Sequence, residues 1–380
     1  MGQTRLTRRE FLKVCGESFC ALSAAHLIFI PEISRATMPT KGLIKRKLSP
    51  YFTPLGGGKI QCDLCPRQCH ILHGERGFCR VRENRDGNLY SLVYGNPCVL
   101  FLDRIEREPF FHVLPGTHSL TLSTAGCNFR CKFCENWEIS QARPEDVFAQ
   151  AFSPELVVKK AKQMRAHSMA YTYAEPTIFY EYMSDIAYLA KQEGLLNVIH
   201  SNGFINQGPL RDLCKLIDAA HIDLKGFTNA CYHDLSEGER GPVLDSLKVL
   251  KQEKVHLEVS TLIIPTKNDE MSVIKDLSLW VRKELGADTP LHLSRFYPLY
   301  KLQRLPPTPV SLLEKARETA LNCGLEHVYI GRVPGHEAWN TFCPKCKATV
   351  IERMGYMIKE MHLNAGKCDY CGHPLPGIWA

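Results

Sequence analysis

The sequence predicts an α/β fold, a full or partial (β/α) TIM-type barrel, flanked by a cysteine knuckle and a zinc-ribbon-like module. Three observations lead there. From Ser119 to about Pro334, short apolar runs alternate with helical stretches, at 119–125, 169–174, 196–200, 219–224, 256–264, 290–296 and 327–333. Such strand–helix–strand repetition builds a parallel sheet through right-handed crossovers. Helix boundaries are marked as well: Ser153-Pro154-Glu155 offers a serine N-cap and a first-turn proline, and the stretch opened by Thr308-Pro309 stops at Gly324, a residue suited to the C′ position. Finally, polar residues recur at the C-terminal ends of successive strands, where such a barrel gathers its site.

Taken in order, the chain opens on Thr7-Arg8-Arg9-Glu10-Phe11-Leu12-Lys13 and a mostly apolar stretch from Val14 to Ile30. Residues 1–38 read as a twin-arginine-type signal, an address that lies outside fold reasoning. The stretch is too short, and Glu17 and His26 too polar, for a transmembrane span. Residues 39–115 form a cysteine-rich region: a basic, Gly/Pro-rich linker, then Cys62-Asp-Leu-Cys65-Pro-Arg-Gln-Cys69 with Cys79 behind it, then short alternating runs from Leu89 to Val113. Four thiols within 18 residues suit a metal knuckle. Zinc and a second iron–sulfur centre both fit thiolate ligands, and spacing does not choose between them. The barrel is expected over 116–335.

The final module, 336–380, begins with His336-Glu337-Ala338-Trp339-Asn340, which lacks the second histidine of an H-E-x-x-H metalloprotease helix. Cys343-Pro-Lys-Cys346 and Cys368-Asp-Tyr-Cys371 follow, separated by 21 residues with a hairpin-like filling at 348–363. Four thiolates close a coordination sphere, so a structural zinc is expected, folding a module too small to bury a core of its own.

The chemistry concentrates after the first strand. Cys127-Asn-Phe-Arg-Cys131-Lys-Phe-Cys134 sets three cysteines at C-x3-C-x2-C spacing. Three thiolates can hold three irons of a cubane and leave the fourth without a protein ligand, which separates a reactive centre from a closed one. Glu175, in Ala174-Glu175-Pro176-Thr177, follows the second strand, and Ser201-Asn202-Gly203 follows the third. Asp223-Leu224-Lys225 closes the fourth strand, Glu258 and Ser260 lie along the fifth, and His292, Ser294 and Arg295 lie on the sixth. Singly each has a plain structural use, such as a helix N-terminus, a turn or a surface ion pair. Beside the cysteine triad they point to one site.

Composition narrows the classes. With 44% hydrophobic and 23% charged residues the chain is no disordered polymer. Of its formal charge of +7, residues 1–50 carry nine Lys/Arg against three acids, a net +6, which leaves about +1 for the other 330. A nucleic-acid-binding face gets no support from that balance. The cysteines outside the clusters (Cys15, Cys20, Cys98, Cys214, Cys231 and Cys323) read as small buried hydrophobes.

The triad with Phe133 resembles the signature of the radical S-adenosylmethionine (SAM) superfamily. More of the chain resembles its pyruvate formate-lyase activating enzyme-like branch, specifically the radical SAM member of the AmmeMemoRadiSam system. The resemblance runs from about residue 50 to 380, through the Cys62–Cys79 knuckle, Asn128-Phe129-Arg130-Cys131, Ala174-Glu175-Pro176-Thr177, Ser201-Asn202-Gly203-Phe204, Asp223-Leu224-Lys225-Gly226, Ser294-Arg295-Phe296 and the terminal cysteine pairs. It implies a [4Fe-4S] cluster on Cys127, Cys131 and Cys134, with SAM chelating the open iron. It further implies Phe133 near the adenine, Glu175 at the SAM amino group, Ser201 and Asp223 near the methionine carboxylate and an associated cation, and His292 near the adenosine. One departure is His200, which stands where activating enzymes carry an aspartate and counts against a monovalent-cation site.

The implied reaction is reductive cleavage of SAM to a 5′-deoxyadenosyl radical, which abstracts hydrogen from a substrate. By analogy that substrate is a glycine of a partner polypeptide. The implied partners are an electron donor of flavodoxin or ferredoxin type and a protein substrate or other AmmeMemoRadiSam proteins. SAM is made in the cytoplasm, which sets this function against the export suggested by the signal. The rival reading, a non-catalytic iron–sulfur electron carrier, leaves the strand-end polar set without a use.

Overall fold

A computed structural model describes residues 38–379. All of the expected signal segment but Met38, with Cys15 and Cys20, lies outside the described residues. Among the described residues no helix is long and apolar enough to cross a membrane.

An eight-stranded sheet organises the rest. Its strands are β1 (Val99–Arg104), β2 (His118–Ser123), β3 (Ser168–Tyr171), β4 (Leu196–Ser201), β5 (Ala219–Leu224), β6 (His256–Ile263), β7 (Leu291–Arg295) and β8 (Val328–Gly331), side by side in chain order. β2 to β8 run parallel, while β1 pairs antiparallel with β2. The β1 and β8 edges do not pair with each other, so the sheet is mixed and open rather than closed. β1 comes from the β-rich lead-in, so the main sheet recruits a strand from ahead of residue 116.

The crossover helices are α1 (Pro154–Gln163), α2 (Tyr180–Gln192), α3 (Gln207–Cys214), α4 (Asn229–Ser236), α5 (Arg240–Gln252), α6 (Met271–Glu284) and α7 (Val310–Asn322). Ser153 Oγ accepts the Leu156 N–H at the start of α1, with Pro154 behind the cap. Gly324, at φ +88°, ends α7 in the left-handed region that a side chain would disfavour.

Strand alternation sorts side chains between two faces. Tyr171, Ile199, Ile222, Val259 and Leu293 join the helices in the large core. Ala170, Val198 and Ala219 pack instead against Ile105, Phe110 and Val113, so the 105–113 segment covers the other face. The chain's end ties that segment down: the Ile378 N–H donates to His112 O (2.8 Å) and the Arg353 guanidinium to Phe111 O (2.8 Å).

Two small modules complete the architecture. Phe52–Gly56, Lys59–Cys62 and His70–Ile71 form one three-stranded sheet of the cysteine-rich region, and Lys47–Leu48, Asn88–Ser91 and Arg82–Arg85 form another. Buried Arg82 joins this region to α2 by a two-pronged pair with Glu181 (2.9 and 2.8 Å). Removing one member of such a pair costs about 3–5 kcal/mol, because the other charge stays buried. At the C-terminus, Thr349–Met354 and Met357–Met361 form the hairpin expected between the cysteine pairs, with Thr341–Phe342 at its side.

Candidate active site

The loop after β2 begins with a backbone requirement. Gly126 sits at φ +98°, and a Cβ there would meet Cys79 O and Val81 Cγ1 at 2.7 Å. The following loop carries the three cysteines, each with a polar neighbour of its own. The Phe129 N–H donates to Cys127 Sγ (3.3 Å), Cys131 Sγ lies 3.4 Å from Ser236 Oγ, and Cys134 Sγ lies 3.2 Å from Ser140 Oγ. All three line one cavity of about 370 Å³ at the C-terminal ends of the parallel strands, a volume within the usual range for small-molecule sites. Phe133, Glu175, Ser201, Asp223 and His292 line the same cavity.

Glu175 is buried at the start of the Pro176–Phe179 turn. Its Oε1 accepts the Thr177 N–H (3.0 Å), Thr177 Oγ1 (2.8 Å) and Ser201 Oγ (2.7 Å), and its Oε2 accepts the Asn202 N–H (2.9 Å). The helix-cap use is therefore present, and the same carboxylate braces the turn after β4. Asn202 donates onward to Asn128 Oδ1 (2.8 Å), and Asn128 to Phe204 O (2.8 Å), which straps the cysteine loop to that turn.

Asp223, Lys225 and His200 form a charged group in the cavity wall. Lys225 Nζ donates to Asp223 Oδ2 (2.6 Å), and His200 Nε2 lies 3.0 Å from Asp223 Oδ1, close enough to pair but poorly aimed for a hydrogen bond. Burial works against the Asp223 charge, yet Lys225 and His200 outweigh it and hold the carboxyl well below its ordinary range. Burial likewise opposes the Lys225 charge, and Asp223 with the nearby Cys131 raises it. Burial dominates at the cysteines, pushing the Cys131 thiol up to about 11 and Cys127 well above its usual value. Iron binding would deprotonate these thiols, since the ligand form is the thiolate.

His292 is buried, with Nε2 2.6 Å from Glu258 Oε2. His221 stands between it and His200, with ring centroids 5.0 and 4.9 Å away. Burial, reinforced by those imidazoles, holds His221 well below its ordinary value and therefore neutral.

Ligand spacing separates the cysteine groups. The sulfurs of Cys343, Cys346, Cys368 and Cys371 all lie within 4.8 Å of one another, with Cys343–Cys371 at 3.6 Å and Cys346–Cys368 at 3.7 Å. Zinc at about 2.3 Å from each sulfur would set tetrahedral edges of about 3.8 Å. Among the described residues, neither the Cys127/Cys131/Cys134 triad nor Cys62, Cys65, Cys69 and Cys79 meets that limit. The knuckle cysteines share a small cavity with Arg67 and Arg82. They abut the triad: Arg67 Nε donates to Asn128 O (2.6 Å), and Arg130 bonds Phe78 O and Cys127 O.

Some of the cavity wall has no counterpart in the motif-based site. Glu106, Glu108 and Phe111 line it from the segment after β1, and Trp339 and Tyr356 from the C-terminal module. Burial raises the Glu108 carboxyl to about 7, against the bond it accepts from Thr121 Oγ1. The signal was an apolar run, Phe110-Phe111, set between charged Arg107-Glu108 and Pro115-Gly116. Such a run marks a buried segment but not what it is buried against.

The family model of the radical SAM superfamily matches residues 121–277. An uncharacterized protein of Methanocaldococcus jannaschii is 42% identical over 327 residues, covering 86% of this chain and 97% of its own. A second protein of that organism, provisionally named a glycyl-radical enzyme activating enzyme, is 27% identical over 172 residues, 42% of this chain and 63% of its own. Among solved structures, a domain of pyruvate-formate lyase-activating enzyme from Bacteroides vulgatus superposes with a TM-score of 0.40 at 13% identity, over 44% of this chain and 99% of that one.

Proposed function

We propose, given that the chain belongs to the radical SAM superfamily, that it cleaves SAM reductively and takes a hydrogen atom from a substrate held in the same cavity. One observation carries the reading: the three cysteines open onto a single cavity that also presents Glu175, Ser201, Asp223 and His292. The donor set fits the group. Three soft thiolates at wide spacing suit an iron–sulfur cluster better than one ion, and Lys225 adds positive charge beside Cys131.

Cys127, Cys131 and Cys134 would hold the cluster. Glu175 would receive the SAM amino group, Ser201 and Asp223 would face its carboxylate end, and Phe133 and His292 would flank the adenosine. The cluster and SAM, when bound, supply the electron and the 5′-deoxyadenosyl radical. The chain's own contribution is to fix SAM against the cluster and keep water from the reacting atoms. Burial of Glu175 and its four hydrogen bonds hold it in place before any ligand arrives. The frame would be a partial (β/α) barrel over 116–335 joined at its edge by β1, with the rest of the cysteine-rich region at 39–115 beside it and a zinc ribbon at 336–380. Cys343, Cys346, Cys368 and Cys371 would bind structural zinc, and Cys62, Cys65, Cys69 and Cys79 a second metal centre.

The activating-enzyme character, with a glycine of a partner polypeptide as substrate and a flavodoxin- or ferredoxin-type electron donor, rests on the branch resemblance and on the name of one relative. The test is anaerobic reconstitution of the full chain, iron and zinc analysis, then SAM with a strong reductant. 5′-Deoxyadenosine is expected. Its absence from protein with a fully built cluster would leave the electron-carrier reading in its place.

A further inference from the structure

The inner face of the sheet holds polar groups that the SAM reading leaves without a use. His221 on β5 is fully buried, and neither ring nitrogen has a hydrogen-bond partner. A neutral imidazole carries one N–H donor and one lone pair, and native interiors rarely strand both. The sheet arranges ligand-type neighbours around it. His221 is in register with Glu258 on β6, and His292 on β7 is in register with Ser260, two residues along β6 from Glu258. Residues two apart on a strand project to the same face. One ligand atom from each of His221, Glu258 and His292 lies within 4.8 Å of the other two, and all three residues are buried. A common ion at roughly 2.1 Å from each would set ligand atoms about 3.4 Å apart, so the His292–Glu258 contact of 2.6 Å would open while His221 turns in, a side-chain adjustment.

Glu258 anchors the group. Its carboxylate accepts the backbone N–H groups of Phe111 (3.0 Å) and His112 (2.8 Å), which fix its orientation as outer bonds do at metal sites. Among the described residues its ion-pair contacts are histidines alone, His292 at 2.6 Å and His256 at 3.5 Å. A buried carboxylate without a Lys or Arg at contact distance, ringed by imidazoles, is a setting that a divalent cation satisfies. His292 also lines the large cavity, so an ion has a way in from solvent.

We propose that His221, Glu258 and His292 bind one divalent first-row transition ion, of the Fe²⁺, Co²⁺, Ni²⁺ or Zn²⁺ class, in the sheet interior behind His292, which alone of the three lines the cavity. Two imidazoles select against Mg²⁺ and Ca²⁺, which prefer all-oxygen shells, and three protein ligands leave positions for water or a substrate atom. The site shares His292 with the SAM reading but depends on none of its chemistry.

Cobalt(II) titration of the full chain tests this, after anaerobic iron–sulfide reconstitution and zinc loading. One further equivalent should bind with weak d–d absorption and no thiolate charge-transfer band. His221→Asn and Glu258→Gln should each weaken that equivalent by about 100-fold or more while iron content stays unchanged. Failure of the wild type to bind such an equivalent, or undiminished binding by either variant, overturns the proposal. Where a variant loses its iron through misfolding, X-ray absorption at the cobalt edge of the wild type decides. Scattering from two imidazoles without sulfur is expected, and sulfur in the first shell overturns the site.

Discussion

The three-cysteine loop after β2 and the four-cysteine C-terminal module are both built from short turns, yet they solve opposite problems. In the module the sulfurs need only each other. They sit at near-tetrahedral spacing over a small core of Val350, Ile351 and Leu375, and the hairpin serves to bring the two cysteine pairs together. In the loop each sulfur has a separate protein neighbour, and the space between them opens on a cavity walled by strand ends. A closed site is thus a local construction, whereas an open one needs a whole sheet to present what occupies the missing position. The difference lies in who supplies the remaining ligands.

Removing ligands from each site in turn would break that comparison if it is wrong. The largest effect is expected from Cys127/Cys131/Cys134→Ala, which should lose one cubane's worth of iron and all measurable deoxyadenosine formation, at least a 10³-fold drop or about 4 kcal/mol in barrier terms, while keeping its C-terminal zinc. Equal iron in variant and wild type would sink the assignment. Next, Cys343→Ser with Cys368→Ser should release zinc and leave residues 341–379 open to protease, because an apparent binding energy of about 10–16 kcal/mol folds such modules. Iron should stay. Turnover should fall on the order of tenfold, since Trp339 and Tyr356 would leave the cavity wall. A smaller effect follows from Glu175→Gln. The amide cannot accept from both Ser201 Oγ and the Asn202 N–H, so about 1–3 kcal/mol of stability should go, read by denaturant melts. An unchanged melt would show that the turn after β4 does not depend on this carboxylate.

The parallel strands were readable because each is a short apolar run buried by helices, and their observed limits fall within a few residues of those expected. The α1 and α7 boundaries were readable because Ser153, Pro154 and Gly324 mark them by local chemistry. The strand β1 was harder. Val99–Arg104 is only partly buried, with Phe101 exposed, so it reads as any short lead-in strand, and nothing local states that it pairs antiparallel with β2. The convergence of Glu175, Ser201 and Asp223 followed from strand-end position alone. The contributions of Glu106, Glu108, Trp339 and Tyr356 did not, because they come from segments outside the strand–helix repeat. His221 was invisible for another reason: a histidine in an apolar strand carries no spacing motif, and only the sheet register brings it to Glu258 and His292.

Glu108 sharpens the comparison at its smallest scale, because it reports how dry the wall of the open site is. Its carboxyl is raised from an ordinary 4.5 to about 7, chiefly by burial. A raised folded-state value means that the folded protein favours the protonated form. That contribution is fully present below pH 4.5 and is lost as pH rises through about 7. At 1.36 kcal/mol per unit the displacement corresponds to on the order of 3 kcal/mol, reduced to the extent that cavity water reaches the group. Glu108→Gln keeps an oxygen for the Thr121 hydroxyl and cannot ionise. The variant should therefore match the wild type in thermal stability near pH 4 and exceed it near pH 8. Melting curves across that range separate the outcomes. A variant that differs from the wild type by the same amount at both ends would mean that Glu108 is solvated in the folded protein, and that the cavity wall is as wet as the surface around exposed Cys346.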